Sequence, residues 1–470
     1  MKFYENIKLD EFSSEPKYIQ LYEILKNLIE EGAIKPDEKL PTIRELSKKL
    51  SVNTVTVVNA YKLLEQKGYI YTKVGSGTFV SKQNDEKIQV FSENPLATNI
   101  KREEINLGIN FSTLTPQSSL FPVEDFKFVI NRILDRDGAS AFNYVEPQGY
   151  FPLRESIWKY LRECGVECEI DNISIVSGAQ QGIDLVAKVL VNFNDAIVVE
   201  SPTYTGAAAI FKNRGANIIE IPIKEDGLDL DELEDVLKKQ RVKLIYVMPN
   251  YQNPTSITYS LEKKLELINL ALKYNTYILE DDFLTEINFS KKPNEPLKTL
   301  DFCDRVIFIK SFSKIFMPGL RLAVIVSPFN ISRNLVFAKQ NTDISTSGLI
   351  QRAFDLYLRE GLWTRHLNNL KDIYYKRYCL MKEKLSEIKD IRFKDPKGGI
   401  HFWIESELDA TIIAYNAKKR GIAIAPGRAF YFDSRSSNNF RLSFAQTDYD
   451  DITNGINILK EIFDEIKMPG

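Results

Sequence analysis

Histidine and cysteine are both scarce in this chain. The only histidines are His366 and His401, which excludes a multi-histidine metal centre or a pair of histidine bases. Four cysteines, Cys164, Cys168, Cys303 and Cys379, lack the paired spacing of a zinc site. They read as reduced, structural thiols of a cytoplasmic protein, and no metal is expected. No apolar run is long enough to span a bilayer. Met1-Lys2-Phe3-Tyr4-Glu5 opens with charge instead of an apolar core, so no secretion signal is expected. A large charge of either sign is also missing. The net charge of −2 excludes a uniformly basic coat for nucleic acid but leaves room for a local basic patch.

What is present suffices for two or three domains in 470 residues. The first segment reads as helices followed by a hairpin. Tyr18, Tyr22, Leu25 and Ile29 recur at helical spacing, and Gly32 is placed to end that helix. Thr42 can cap a second helix carrying Ile43, Leu46 and Leu50. Asn53 can cap a third, whose Val57, Tyr61 and Leu64 share a face and which stops at Gly68. Ile70–Val74, the turn Gly75-Ser76-Gly77 and Thr78–Val80 read as a hairpin. Helices joined by a tight turn plus a two-stranded wing make a winged helix-turn-helix.

The exposed face of the third helix would show Thr54, Thr56, Asn59 and Lys62. Hydroxyls, an amide and a lysine suit base edges and phosphates in a major groove. From Pro41 to Lys82 there are seven positive side chains against two negative ones, Glu45 and Glu65, a local excess of about +5. The stretch "LPTIRELSKKLSVNTVTVVNAYKLLEQKGYIYTKVGSGTFV" resembles the DNA-binding domain of GntR-type bacterial regulators. The resemblance implies contacts to double-stranded operator DNA at Arg44, Thr54, Thr56, Asn59, Lys62 and the wing residue Ser76. Many relatives carry arginine where this chain has Thr54, so the operator sequence does not transfer.

The polar, aperiodic stretch "KQNDEKIQVFSENPLATNIKREE" reads as a linker. The expected division is 1–82 for the DNA reader, 83–105 for the linker and 106–470 for the body, with a large part near 150–330 and a small part near 331–470. In the body, short apolar runs at Ile173–Val176, Ala196–Val199, Leu244–Val247, Tyr277–Leu279 and Val306–Ile309 alternate with amphipathic helices. That pattern predicts an α/β body with a mostly parallel sheet covered on both faces. The last third, with helices around Ile350–Leu358 and Asp372–Ile388 and strands near Ile400–Ile404 and Phe440–Phe444, predicts a smaller α/β subdomain.

Ligands of such sheets bind beyond the carboxyl ends of the strands. Ser177-Gly178-Ala179-Gln180 follows one strand and opens a helix, a cradle for an anion. The other strand ends supply Tyr204, Asn253, Asp281 or Asp282, and the stretch Lys310-Ser311-Phe312-Ser313-Lys314 with Arg321. Together they fit pyridoxal 5'-phosphate. Its aldehyde needs a lysine, its phosphate needs hydroxyls, N–H groups and an arginine, its pyridinium nitrogen needs a carboxylate, and its ring needs an aromatic face.

The motifs "YVEPQGYFPLRESI", "SGAQQGIDL", "ESPTYTG", "PNYQNPTS", "EDDF" and "SFSKIFMPGLRL" make the body resemble the fold-type I aminotransferases. The resemblance implies that Lys314, not Lys310, forms the Schiff base. It implies Ser311, Ser313 and Arg321 at the phosphate, with Gly178, Ala179 and Gln180 at the helix start. Tyr204 would stack on the ring, Asn253 would reach the 3'-oxygen, and Asp281 would pair with the pyridinium. Tyr144 would reach a phosphate across a homodimer interface, and Arg441 in "FRLSFA" would hold an effector carboxylate. Two positions depart from the family pattern: Phe283 stands where a tyrosine is frequent, and Ser256 where a glycine is usual.

A GntR-type reader followed by an aminotransferase-like body resembles the MocR-type regulators over nearly the full chain. The implied function is a PLP-dependent transcriptional regulator that senses an amino-group effector or PLP itself. The alternative is a working amino-acid aminotransferase with a fused DNA-binding domain. Lys314 would serve either one.

Overall fold

A computed structural model describes residues 7, 9, 16–30, 34–35, 37–66, 69–73, 77–81, 108–292 and 294–467. The chain divides into two compact units, residues 1–93 and 94–470.

In the first unit, α1 spans Lys17–Glu30, α2 Ile43–Lys49 and α3 Thr54–Gln66. The predicted caps are in place. Thr42 Oγ1 accepts from the Glu45 N–H at 3.3 Å while Glu45 Oε2 accepts from the Thr42 N–H at 2.9 Å, a reciprocal capping box. Asn53 Oδ1 accepts from the Val55 N–H at 2.9 Å and starts α3. Strands β1 (Ile70–Lys73) and β2 (Gly77–Val80) pair antiparallel, Ile70 opposite Val80. Leu21, Leu25, Leu46, Val57 and Leu64 form the buried centre of this unit. The expected helix stops at Gly32 and Gly68, and the turn residues Val74 to Ser76, lie outside the described residues.

The body holds β3 (Ile109–Asn110), β4 (Ile173–Val176), β5 (Ala196–Ser201), β6 (Asn217–Lys224), β7 (Gly227–Leu228), β8 (Val242–Val247), β9 (Tyr277–Asp282), β10 (Val306–Ser311) and β11 (Ala323–Val326). Strands β4 to β11 form one sheet in the order β4-β11-β10-β9-β8-β5-β6-β7. The central pairs β10–β9, β9–β8, β8–β5 and β5–β6 are parallel, and β11 and β7 run antiparallel to their neighbours. The near-continuous burial of β4, β5 and β8 to β11 explains their apolar sequences: helices cover both faces, so alternation has no use.

The C-terminal strands are β12 (Ile391–Phe393), β13 (His401–Ser406), β14 (Ile422–Ala423), β15 (Ala425–Pro426) and β16 (Asn439–Ser443). They build a second antiparallel sheet, β12-β13-β16-β15, while β14 pairs in parallel with β3. The helix expected around Asp372–Ile388 begins earlier, at Leu362, because Trp363, Leu367 and Leu370 extend its buried stripe. Helix Phe329–Asp343 packs on Ala179–Leu190, and Gly348–Arg359 packs on Val123–Asp137 and Phe151–Glu163; Ala179–Leu190 and Phe151–Glu163 in turn lie against strands of the large sheet.

Candidate cofactor site and DNA-reading helix

The parallel strands converge several candidate side chains beyond their carboxyl ends. After β4, Gly178 precedes helix Ala179–Leu190 with φ +85°. A Cβ there would lie 2.5 Å from Arg321 Nη2, so only glycine lets the guanidinium approach the helix start. Arg321 Nη2 donates to the Ser177 carbonyl at 3.0 Å. Ala179, half-buried, is the first residue of that helix, and Gln180 is exposed. Ser311 is buried at the end of β10, and its Oγ accepts from the Ser313 N–H at 3.4 Å. Free helix N–H groups, hydroxyls and one arginine thus share one locale, suited to a phosphate.

Tyr204 follows β5, and its hydroxyl donates to Gln180 Oε1 at 3.1 Å. Asp281 is 7 % exposed and accepts from the Tyr246 hydroxyl at 2.8 Å. Burial raises its carboxyl to about 6, against the opposing pull of that hydrogen bond and of the Lys310 and Lys314 charges. Lys314 is pushed down to about 8 by burial and by the Arg441 and Arg321 charges. A neutral amine is therefore accessible near neutral pH.

The alternative lysine is occupied elsewhere. Lys310 Nζ lies 3.1 Å from Asp282 Oδ2 and 2.5 Å from Glu286 Oε2. The Tyr160 hydroxyl donates to the same Glu286. Register puts Lys310 opposite Asp282 and Ile309 opposite Asp281, so alternation along β9 sends the two aspartates to opposite faces. Of the sequence candidates Asp281 or Asp282, only Asp281 is left for the face with Lys314.

Arg441, on β16, is 4 % exposed. Its Nη1 donates to Asn253 Oδ1 at 2.5 Å, and its Nη2 donates to the Ser112 carbonyl. The Phe430 ring centroid lies 4.9 Å from its Cζ. Its buried Nε has no partner among the described residues, and burial lowers its guanidinium to about 9. Ser256 has φ +59°, which is why a glycine suits that position. Here its hydroxyl donates to the His401 carbonyl at 2.8 Å. Phe283 is buried in the main core. Tyr144 is 81 % exposed, and the single chain does not bring it into this cluster by any hydrogen bond or ion pair among the described residues.

Sequence reasoning missed Tyr246, Ser112 and the buried Thr203 hydroxyl, which is without a partner among the described residues. A tyrosine inside an apolar strand was the one available signal for Tyr246. The residues present fit pyridoxal phosphate: an amine, a buried carboxylate, a glycine-opened helix start with an arginine, and an unpaired buried hydroxyl and guanidinium N–H.

On the DNA side, Arg44 is exposed on α2, and Thr54, Asn59 and Lys62 are exposed on α3. Thr56 is half-buried, at the edge of the face. Val55 is 59 % exposed and shares a stripe with Asn59 and Lys62 at helical spacing. Its apolar type hid it from a search for polar contacts, although thymine methyls take apolar side chains. Ser76 lies outside the described residues.

Residues 102–459 match the aminotransferase class I and II family. The chain belongs to that family. Aminotransferases of this family depend on pyridoxal phosphate. Residues 17–80 match the gntR family of bacterial regulatory proteins, so a GntR DNA-binding domain is fused to an aminotransferase-like domain. The chain is similar along its length to YcxD of Bacillus subtilis, an uncharacterized HTH-type transcriptional regulator, with 28 % identity over 94 % of this chain and 99 % of that one. It is likewise similar to the probable rhizopine catabolism regulatory protein MocR of Rhizobium meliloti, with 26 % identity over 98 % and 97 %. Among solved aminotransferases, the body is similar to Pyrococcus horikoshii kynurenine aminotransferase, whose crystal structure is a complex with PMP. The TM-score is 0.75 and the identity 31 %, covering 80 % of this chain and 95 % of that chain. Among the described residues no helix is long and apolar enough to cross a membrane.

Proposed function

We propose that this protein is a cytoplasmic, homodimeric transcriptional regulator whose body binds pyridoxal phosphate and senses an amine that carries a carboxylate. The observation that carries the reading is Arg441. A guanidinium this buried normally has an anionic partner, yet among the described residues Arg441 has only two neutral acceptors. A ligand carboxylate supplies the missing charge through a bidentate pair.

When bound, pyridoxal phosphate supplies an electrophilic aldehyde and an electron-accepting ring for chemistry at an amine. The chain's own groups have separate tasks. Lys314 offers the amine that holds the aldehyde, and the depressed basicity of its Nζ suits it to take or give a proton there. Asp281 would pair with the pyridinium nitrogen, and the Tyr246 hydroxyl fixes one of its carboxylate oxygens. Ser311, Ser313, Arg321 and the N–H groups after Gly178 would hold the phosphate. Tyr204 would cover the ring, and Asn253, whose Oδ1 accepts from Arg441, would reach the 3'-oxygen with its amide nitrogen. Tyr144, being exposed, is assigned to the partner's phosphate in a dimer. Arg44, Thr54, Thr56, Asn59, Lys62 and Ser76 are assigned to operator DNA. The boundaries 1–82, 83–105 and 106–470 complete the proposal.

The reading is tested with full-length protein, a labelled operator fragment and a panel of amino acids with their decarboxylated amines. The expected result is a change in DNA affinity for carboxylate-bearing members only, with the cofactor band shifting at the same concentrations. Rapid keto-acid production without any change in DNA affinity would instead identify a working aminotransferase with a fused DNA-binding domain.

A further inference from the structure

The first described stretch of the aminotransferase-like body is tied to Arg441. Residues 108–117 are the first described ones after the segment that follows the DNA reader. They run along the C-terminal sheet. The Phe111 N–H donates to the Ala423 carbonyl at 2.8 Å, and the Ser443 N–H donates to the Phe111 carbonyl at 2.8 Å. The Phe111 side chain is fully buried, and a Cβ on Gly455 would lie 2.4 Å from its ring. Between these anchors, Asn110 Oδ1 accepts from both the N–H and the hydroxyl of Ser112, at 2.9 and 2.8 Å. This Asx-type turn fixes the peptide whose carbonyl accepts from Arg441 Nη2.

A guanidinium carries five N–H donors in one plane. In Arg441 the Ser112 carbonyl and Asn253 Oδ1 take one each, on different nitrogens. Nε–H and one hydrogen on each Nη are left for a ligand. Two neutral acceptors thus set the plane and direction of the fork without satisfying its charge.

We infer that Asn110 and Ser112 are positioning residues for Arg441: the Asn110 turn aims the Ser112 carbonyl, which orients the guanidinium for a ligand carboxylate. The inference rests on the functional reading above. Its consequence is regulatory. A carboxylate that orders Arg441 also orders the Asn110–Ser112 turn bonded to it, and the linkage is reciprocal.

The test uses two stable probes on the full chain without added cofactor, N-(5'-phosphopyridoxyl)-L-alanine and N-(5'-phosphopyridoxyl)ethylamine, which differ by the carboxylate. Wild type should prefer the alanine adduct by roughly tenfold or more, the scale of a charge-assisted hydrogen bond. Asn110→Ala should cut that preference severalfold and leave the affinity for the ethylamine adduct unchanged. Asn110→Asp keeps the acceptor and should restore the preference. Amide exchange at Phe111 and Ser112 should slow with the alanine adduct only. An Asn110→Ala variant with the wild-type preference, or one weakened equally for both adducts, overturns the inference. Absence of any preference in wild type would instead sink the assignment of Arg441 itself.

Discussion

The Tyr246 hydroxyl and Asp281 Oδ2 lie 2.8 Å apart in the buried end of the large sheet. The bond holds one oxygen of a carboxylate whose proton affinity is raised from 3.8 to about 6 by burial. A raised carboxyl stabilises the fold below its unfolded value, and that contribution is lost as pH rises through the folded value. For the cofactor-free chain, the unfolding free energy of wild type minus that of Asp281→Asn should therefore fall by about 2 kcal/mol between pH 4 and pH 7. Bound pyridinium should remove most of this slope. Denaturant titrations at several pH values measure it, and a flat difference would mean the carboxylate is solvated.

Lys314 and Lys310 should separate cleanly on mutation. Lys314→Ala should abolish the visible absorbance of bound cofactor while the protein stays folded. Lys310→Ala strands Asp282 and Glu286 in the interior and should cost about 3–5 kcal/mol of stability. Its folded fraction should keep the band. Because Lys314 is depressed to about 8, the rate of cofactor uptake should rise with pH to a midpoint near that value. A midpoint near an ordinary lysine's would place the amine in water.

Gly178→Ala should weaken cofactor binding by at least tenfold. The added Cβ meets Arg321 Nη2 at 2.5 Å, and φ +85° with ψ 163° costs a non-glycine residue about 1–3 kcal/mol. Equilibrium dialysis of cofactor against the variant decides the matter. Undiminished affinity would show that Arg321 moves aside freely and has no fixed role at the phosphate.

On α3, Asn59 and Lys62 should fail differently. Lys62→Ala should weaken binding to all sequences and lower the slope of log K against log salt by about 1. Asn59→Ala should cost about 1–3 kcal/mol on the preferred operator and relax selectivity at one base. Val55→Asp should abolish binding by putting like charge against the phosphates. Anisotropy titrations over a salt series read all three. Full binding by Val55→Asp would turn this face of α3 away from DNA.

Most of the architecture was determined locally, and so was written in the sequence. Thr42 and Asn53 cap helices through bonds to residues within three positions. The run Ile173–Val176 is the strand β4 residue for residue, because a strand buried on both faces reads as a near-continuous apolar run, interrupted here only by Ser174. The motif ends of β4, β5, β9 and β10 carried Gly178, Tyr204, Asp281 and Lys314 with them, since a parallel sheet delivers all its carboxyl ends to one edge.

Only the tertiary structure decided what each charge meets. Lys310 and Lys314 are four residues apart and alike in composition, but register sets Lys310 between Asp282 and Glu286. Arg441 finds Asn253 and Ser112 across 188 and 329 positions of chain, and Tyr246 reaches Asp281 from the neighbouring strand. Hydrogen bonds need ångström placement, whereas hydrophobic pattern needs only the right face. Sequence periodicity supplies the face, and the packing of the whole sheet supplies the placement.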